Sequence, residues 1–126
     1  MSDTKKILIA DDEENIVISL EFLMKREGFE VLVASDGEEA LARIRNDAPD
    51  LVLLDVMMPK KSGFDVCQEV RADPAIADTR ILMLTAKGRD TEVAKGLALG
   101  ADAYMTKPFS TKELVEQVHS MLGVTR

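Results

Sequence analysis

The sequence predicts a doubly wound α/β domain: one parallel sheet of five strands with helices on both faces. Three observations predict it. Short apolar runs, such as residues 7–10, 51–54 and 81–84, are bounded by polar residues, as buried parallel strands are. Stretches with helical spacing of apolar residues separate them, and alternation of this kind implies right-handed crossovers onto a shared sheet. Each central run ends on a polar side chain: Asp11 and Asp12, then Asp55, then Thr85.

The elements follow in order. The first strand covers residues 6–10. A helix from about 14 to 27 places Ile16, Leu20, Leu23 and Met24 on one face and ends at Gly28. The second strand, 30–35, alternates Val31, Val33 and Ser35 with Leu32 and Ala34. Asp36 caps a second helix carrying Ala40, Leu41 and Ile44, which stops before Pro49. The third strand ends at Asp55. A loop with Pro59 leads to a third helix, 63–72, stopped by Asp73-Pro74. The fourth strand ends at Thr85, and a fourth helix, about 90–99, closes at Gly100. A short fifth strand, 103–106, precedes Lys107 and Pro108. Ser110 and Glu113 read as a capping box for the last helix, which buries Leu114, Val115, Val118, Met121 and Leu122. Five such units suggest the flavodoxin-like (βα)5 strand order 2-1-3-4-5, in which the first and third strands are neighbours. Asp11, Asp12 and Asp55 then share one crevice beyond the carboxyl ends of the strands.

Bulk properties narrow the function. At 126 residues the chain suits one domain, 1–126, and its hydrophobic fraction of 46% is ordinary. No apolar run is long enough to span a bilayer, and the polar start lacks a signal-peptide core, so a cytoplasmic location is the expectation. The lone Cys67 cannot form an internal disulfide and reads as a small packing residue. A net charge of −7 argues against direct nucleic-acid binding. Glu13 and Glu14 read as acids suited to a helix start. His119 reads as a surface histidine without special role, and the methionines as core gap-fillers.

Three carboxylates in one pocket repel one another unless a cation screens them, and carboxylate oxygens suit Mg²⁺. Lys107 adds a positive charge and Thr85 a hydroxyl donor. Phosphoryl transfer needs little more than an in-line nucleophile with charge and donors around the equatorial oxygens. A carboxylate can be that nucleophile, and the central strand delivers Asp55 to the middle of the crevice. No Walker loop is present, and acids stand where a dinucleotide fingerprint needs glycines. A haloacid-dehalogenase-type phosphatase wants a second aspartate where this chain has Met57. A flavodoxin-like ligand-binding protein needs a glycine- or hydroxyl-rich loop after the first strand, and a hydrolase using an aspartyl phosphate is a further alternative.

With these residues assembled, the chain resembles a response-regulator receiver domain, the phospho-accepting part of two-component signalling. The resemblance runs from Lys6 to about Leu122. It rests on Asp11-Asp12, on Leu-Leu-Asp55-Val-Met-Met-Pro59 with Gly63, on Leu-Thr85-Ala86-Lys, and on Gly-Ala-Asp-Ala-Tyr104-Met-Thr-Lys107-Pro108-Phe109. It implies a regulatory switch that is not a turnover enzyme. Asp55 is then the acceptor of a phosphoryl group from a sensor histidine kinase or histidine phosphotransfer protein. Asp12 is implied to bind Mg²⁺ directly, Asp11 through water, and Asp55 and the Met57 carbonyl to complete the protein's ligands. Lys107 pairs with the phosphoryl group, Thr85 and Tyr104 form the switch pair, and the Lys107–Pro108 bond is cis.

The output surface is implied to be helix 4, strand 5 and helix 5. In the winged-helix transcription-factor branch this face dimerises through paired charges, expected near Val93, Ala103 and Gln117 and missing here. The expectation is a single-domain regulator that controls a partner protein, with the receiver half of a DNA-binding regulator or hybrid kinase as the alternative.

Overall fold

The computed structural model describes residues 4–86 and 90–123. The elements alternate as β1 (Lys6–Ala10), α1 (Glu14–Arg26), β2 (Glu30–Ala34), α2 (Gly37–Asp47), β3 (Leu51–Asp55), α3 (Gly63–Ala72), β4 (Arg80–Ala86), α4 (Asp90–Ala98), β5 (Ala103–Lys107) and α5 (Thr111–Leu122). All strand pairs are parallel, in the order β2-β1-β3-β4-β5. This is the flavodoxin-like topology that the sequence predicts. Boundaries move by one residue: β2 ends at Ala34 instead of Ser35, β4 continues past Thr85, Lys107 is the last residue of β5 instead of following it, and α1 and α4 end at Arg26 and Ala98.

Strand periodicity divides the core into two layers. On one face Leu8, Ala10, Val52, Leu54, Ile81 and Met83 meet Ala40, Leu41 and Ile44 of α2 and Val66, Cys67 and Val70 of α3. On the other, Ile7, Ile9, Leu51, Leu53, Leu82 and Leu84 meet Leu20 and Met24 of α1 and Leu114, Val115, Val118 and Leu122 of α5. Every residue of β3 is buried, which explains its unbroken apolar run and makes Asp55 the one charged side chain on the central strand. Cys67 is buried as read, and burial pushes its thiol pKa up, away from the reactive thiolate.

Helix ends follow local chemistry. Asp36 accepts from the Glu39 N–H at 2.8 Å and so caps α2. Ser110 accepts from the Glu113 N–H at 2.9 Å and caps α5. The reciprocal capping box, with both bonds present, is at Ser62 and Asp65 on α3. Aspartate serves there in the place of the usual glutamate, so the pattern passes unnoticed in the sequence. Two side-chain readings also change. His119 is nearly buried, its Nε2 2.8 Å from Glu27 Oε1 and its ring 5.3 Å from that of Phe29. Its position one turn after Val115 puts it on the packed face of α5. Met57 is exposed, so the methionines are not all core fillers.

Gly63 has a specific task. A Cβ there would collide with the backbone carbonyl of Asp55, while the Gly63 N–H donates to Val56 O at 2.9 Å. The first turn of α3 thus backs directly onto the end of β3. Gly63→Ala is expected to destabilise the fold by about 1–3 kcal/mol, the usual range for overpacking against backbone. Urea unfolding checks this, and an unchanged midpoint would contradict the close approach.

Candidate functional site at the carboxyl edge of the sheet

The ends of β1, β3, β4 and β5 place the candidate residues around one crevice. Asp11 follows β1 directly. Its N–H donates to Ala34 O at 3.1 Å, so the main chain stays tied to β2 for one residue beyond the strand. Its Oδ1 accepts from the Glu13 N–H at 2.9 Å, a local turn that feeds the chain into α1. Asp11 is 1% exposed and Asp55 5%, whereas Asp12 lies open at the rim. Carboxylate oxygens of Asp11, Asp12 and Asp55 all lie within 4.8 Å of one another, the one group of its kind among the described residues.

Lys107 enters from β5, across the crevice from β1. Its Nζ donates to Asp11 Oδ2 at 2.8 Å and to Glu13 Oε1 at 3.1 Å, and stands 3.5 Å from Asp55 Oδ1. Burial opposes its charge, but the hydrogen bonds it donates to Asp11 and Glu13 and the fields of Asp55 and Asp11 outweigh burial and raise its pKa. The next peptide bond, Lys107–Pro108, is cis. Glu13 is the site residue that sequence reading missed. The sequence reads it as a helix-start acid, yet as the N-cap residue of α1 it makes no side-chain cap bond and reaches Lys107 instead. The sequence carries no signal for this, because the partners are 94 residues apart.

The electrostatics leave negative charge unsettled. Asp55 is pushed up to about 7, chiefly by burial, then by the field of Asp11; Lys107 and the Met57 N–H, 3.3 Å from Asp55 Oδ1, only partly offset this. An exposed rim, crowded carboxylate oxygens and an aspartate that resists ionisation fit a hard divalent cation.

Thr85 is almost fully buried, and its Oγ1 donates to Ala86 O at 3.3 Å. Thr85 pairs with Thr106, and Met83 with Tyr104, so period-2 alternation puts Thr85 and Tyr104 on the same face of the sheet as α4. Tyr104 itself is 47% exposed. Lys87, the fourth residue of the Leu-Thr-Ala-Lys motif, lies outside the described residues.

This fold, with an acidic trio facing a lysine at its carboxyl edge, defines a class that the comparisons bear out. The chain belongs to the response regulator receiver domain family, whose model matches residues 7–119, and it is a receiver domain of two-component signalling. It is 49% identical over 118 residues to the alkaline phosphatase synthesis transcriptional regulatory protein PhoP of Bacillus subtilis, covering 94% of this chain and 48% of that protein. The chain thus spans about half the length of that curated relative. Among solved structures it is similar to chemotaxis response regulator CheY4 of Vibrio cholerae, with a TM-score of 0.88, 33% identity and coverage of 94% of this chain and 99% of that one. It is likewise similar to the receiver domain of Francisella response regulator 1452, with a TM-score of 0.87, 32% identity and coverage of 95% and 98%. No helix among the described residues is long and apolar enough to cross a membrane.

The raised Asp55 has a consequence for stability. Between pH 3.8 and about 7 the folded chain keeps a proton on Asp55 that the unfolded chain has lost. Folding stability therefore falls as pH rises through that window in the absence of divalent cations. Asp55→Asn should flatten this slope and exceed the parent in stability at pH 8. Urea titrations across the window check it; parallel slopes for the two proteins would contradict the assigned cause.

Proposed function

We propose that this chain is a phosphorylation-driven switch that accepts a phosphoryl group on Asp55. The observation that carries this reading is Lys107 set among the carboxylates of Asp11, Glu13 and Asp55 at the end of the central strand. The donor is a phosphohistidine on a sensor kinase or phosphotransfer protein. An Asp55 oxygen forms the bond to phosphorus as the phosphorus–nitrogen bond breaks, and the imidazole leaves with the electron pair. Lys107 holds the negative charge of the phosphoryl oxygens, and the Thr85 hydroxyl supplies a further donor.

Asp11, Asp12, Asp55 and the Met57 backbone carbonyl would hold Mg²⁺, which fits the crowded oxygens and the raised Asp55. When bound, the ion supplies positive charge against the carboxylates and the phosphoryl oxygens. The crevice is thus a regulatory site that modifies itself and slowly reverses the modification.

Phosphorylation adds charge and acceptors beside Thr85. Thr85 moves toward them, and Tyr104 turns inward into the space this opens on the same face of the sheet. The half-exposed Tyr104 and the exposed Leu97 of α4 mark the surface whose populations shift. We assign residues 1–126 to one receiver domain in the cytoplasm that acts on a partner protein through α4, β5 and α5. The absence of the paired charges at Val93, Ala103 and Gln117 supports that output. A second reading, the receiver half of a DNA-binding regulator, is favoured by the match to PhoP over half of that protein's length.

Native mass spectrometry with Mg²⁺ and acetyl phosphate tests both readings. The expected result is a gain of one phosphoryl group that requires Mg²⁺ and is lost in Asp55→Asn, in a protein that stays monomeric. Labelling of Asp55→Asn at full rate would refute the acceptor; pairing of the phosphorylated form would favour the second reading. Lys107→Ala should still fold but leave the environment of Tyr104 unchanged on phosphorylation. A wild-type change in Tyr104 fluorescence in that variant would contradict the role given to Lys107.

A further inference from the structure

Glu13 stands at the mouth of the crevice with no part in the chemistry above. An ammonium has three donors, and three carboxylates lie within reach of Lys107 Nζ. Two belong to buried residues at strand ends, Asp11 and Asp55. The third is Glu13, whose side chain is 61% exposed. Its backbone is fixed: the N–H donates to Asp11 Oδ1, and the carbonyl accepts from the Val17 N–H at 3.0 Å. Only its side chain is committed to Lys107. Of the three, Glu13 is the exposed carboxylate on Lys107, and the same ammonium stands 3.5 Å from Asp55 Oδ1.

We propose that Glu13 is an electrostatic gate on Lys107. Its carboxylate occupies the lysine until a phosphoryl group displaces it, and it repels donors in proportion to their negative charge. The inference rests on Asp55 being the phospho-acceptor. With acetyl phosphate, an Asp55 oxygen bonds to phosphorus while the bond from phosphorus to the acetyl oxygen breaks, and acetate leaves with the electron pair. Glu13 bonds to nothing in this step. Lys107 exchanges the Glu13 carboxylate for a phosphoryl oxygen, so Glu13 is a positioning residue that sets how readily the lysine is released.

Coulomb repulsion grows with donor charge, which gives the gate a signature that a structural role lacks. At pH 7 acetyl phosphate is chiefly a dianion, whereas phosphoramidate carries a single net negative charge. Glu13 is exposed, so the effect belongs to the modest range of surface charges, about two- to fivefold. It should also fade in about 1 M salt, where the screening length is about 3 Å.

The experiment compares initial rates of phosphoryl gain, with Mg²⁺, for the wild type, Glu13→Gln and Glu21→Gln. Glu21 is a control for net charge, an acid on α1 paired with Lys25 at 2.9 Å. Glu13→Gln is expected to react about two- to fivefold faster with acetyl phosphate, to gain less with phosphoramidate, and to lose its advantage in high salt. Glu21→Gln should match the wild type. An equal or slower rate for Glu13→Gln with acetyl phosphate, or the same acceleration with both donors, would overturn the gate. A wild type labelled at Asp55 but indifferent to Glu13 sinks this inference alone; a wild type that gains no phosphoryl from either donor removes the acceptor reading and the gate together.

Discussion

A single ammonium at the carboxyl edge of the sheet holds the candidate site in its present form. Lys107 is drawn to Asp11, Glu13 and Asp55 at 2.8, 3.1 and 3.5 Å, so one positive charge answers for several negative ones. Burial first and the field of Asp11 second still push Asp55 up to about 7, so the lysine offsets them only in part. A buried ion cluster of this kind is poor material for stability, because desolvation consumes much of the attraction. Its value is that it leaves a demand for positive charge that a cation can meet, and a lysine that can change partners.

The fold makes that cluster possible by fixing where the strands end. Two apolar layers, one against α2 and α3 and the other against α1 and α5, clamp the sheet from both sides. A slip of one residue in any central strand would turn its apolar set to the wrong face, so the register is tightly specified. Ala10 beside Leu54, and Asp55 beside Leu84, follow from that constraint. Acidic residues just beyond apolar runs therefore meet in space although they are scattered in sequence. Gly63 completes the arrangement by letting α3 begin against the carbonyl of Asp55.

Much of this was legible in the sequence, because apolar runs and their polar terminators are local signals. The five strands, their order, and the gathering of Asp11, Asp12 and Asp55 follow from them. What escaped depends on the reach of side chains between distant segments. Glu13 reads as a helix-start acid until Lys107 is seen beside it. His119 reads as surface until Glu27 and Phe29 are placed against it, though its spacing from Val115 and Leu122 was a usable clue. The reciprocal capping box lies on α3, where Asp65 stands in place of the glutamate of the usual serine–glutamate pattern. Tyr104 was legible as a strand residue, but its half-exposure belongs to β5 lying at the edge of the sheet.

Burial and the neighbouring Asp11 carboxylate together hold Asp55 up, and a divalent cation answers that demand for positive charge. The most direct test is a carbon-13 NMR titration of the aspartate side-chain carboxyls, with Asp55→Asn to assign the signal, run with and without Mg²⁺. Asp55 is expected to titrate near 7 in the metal-free protein and well below that value when Mg²⁺ is added. An Asp55 that titrates as an ordinary carboxylate near 4, unmoved by Mg²⁺, would contradict it.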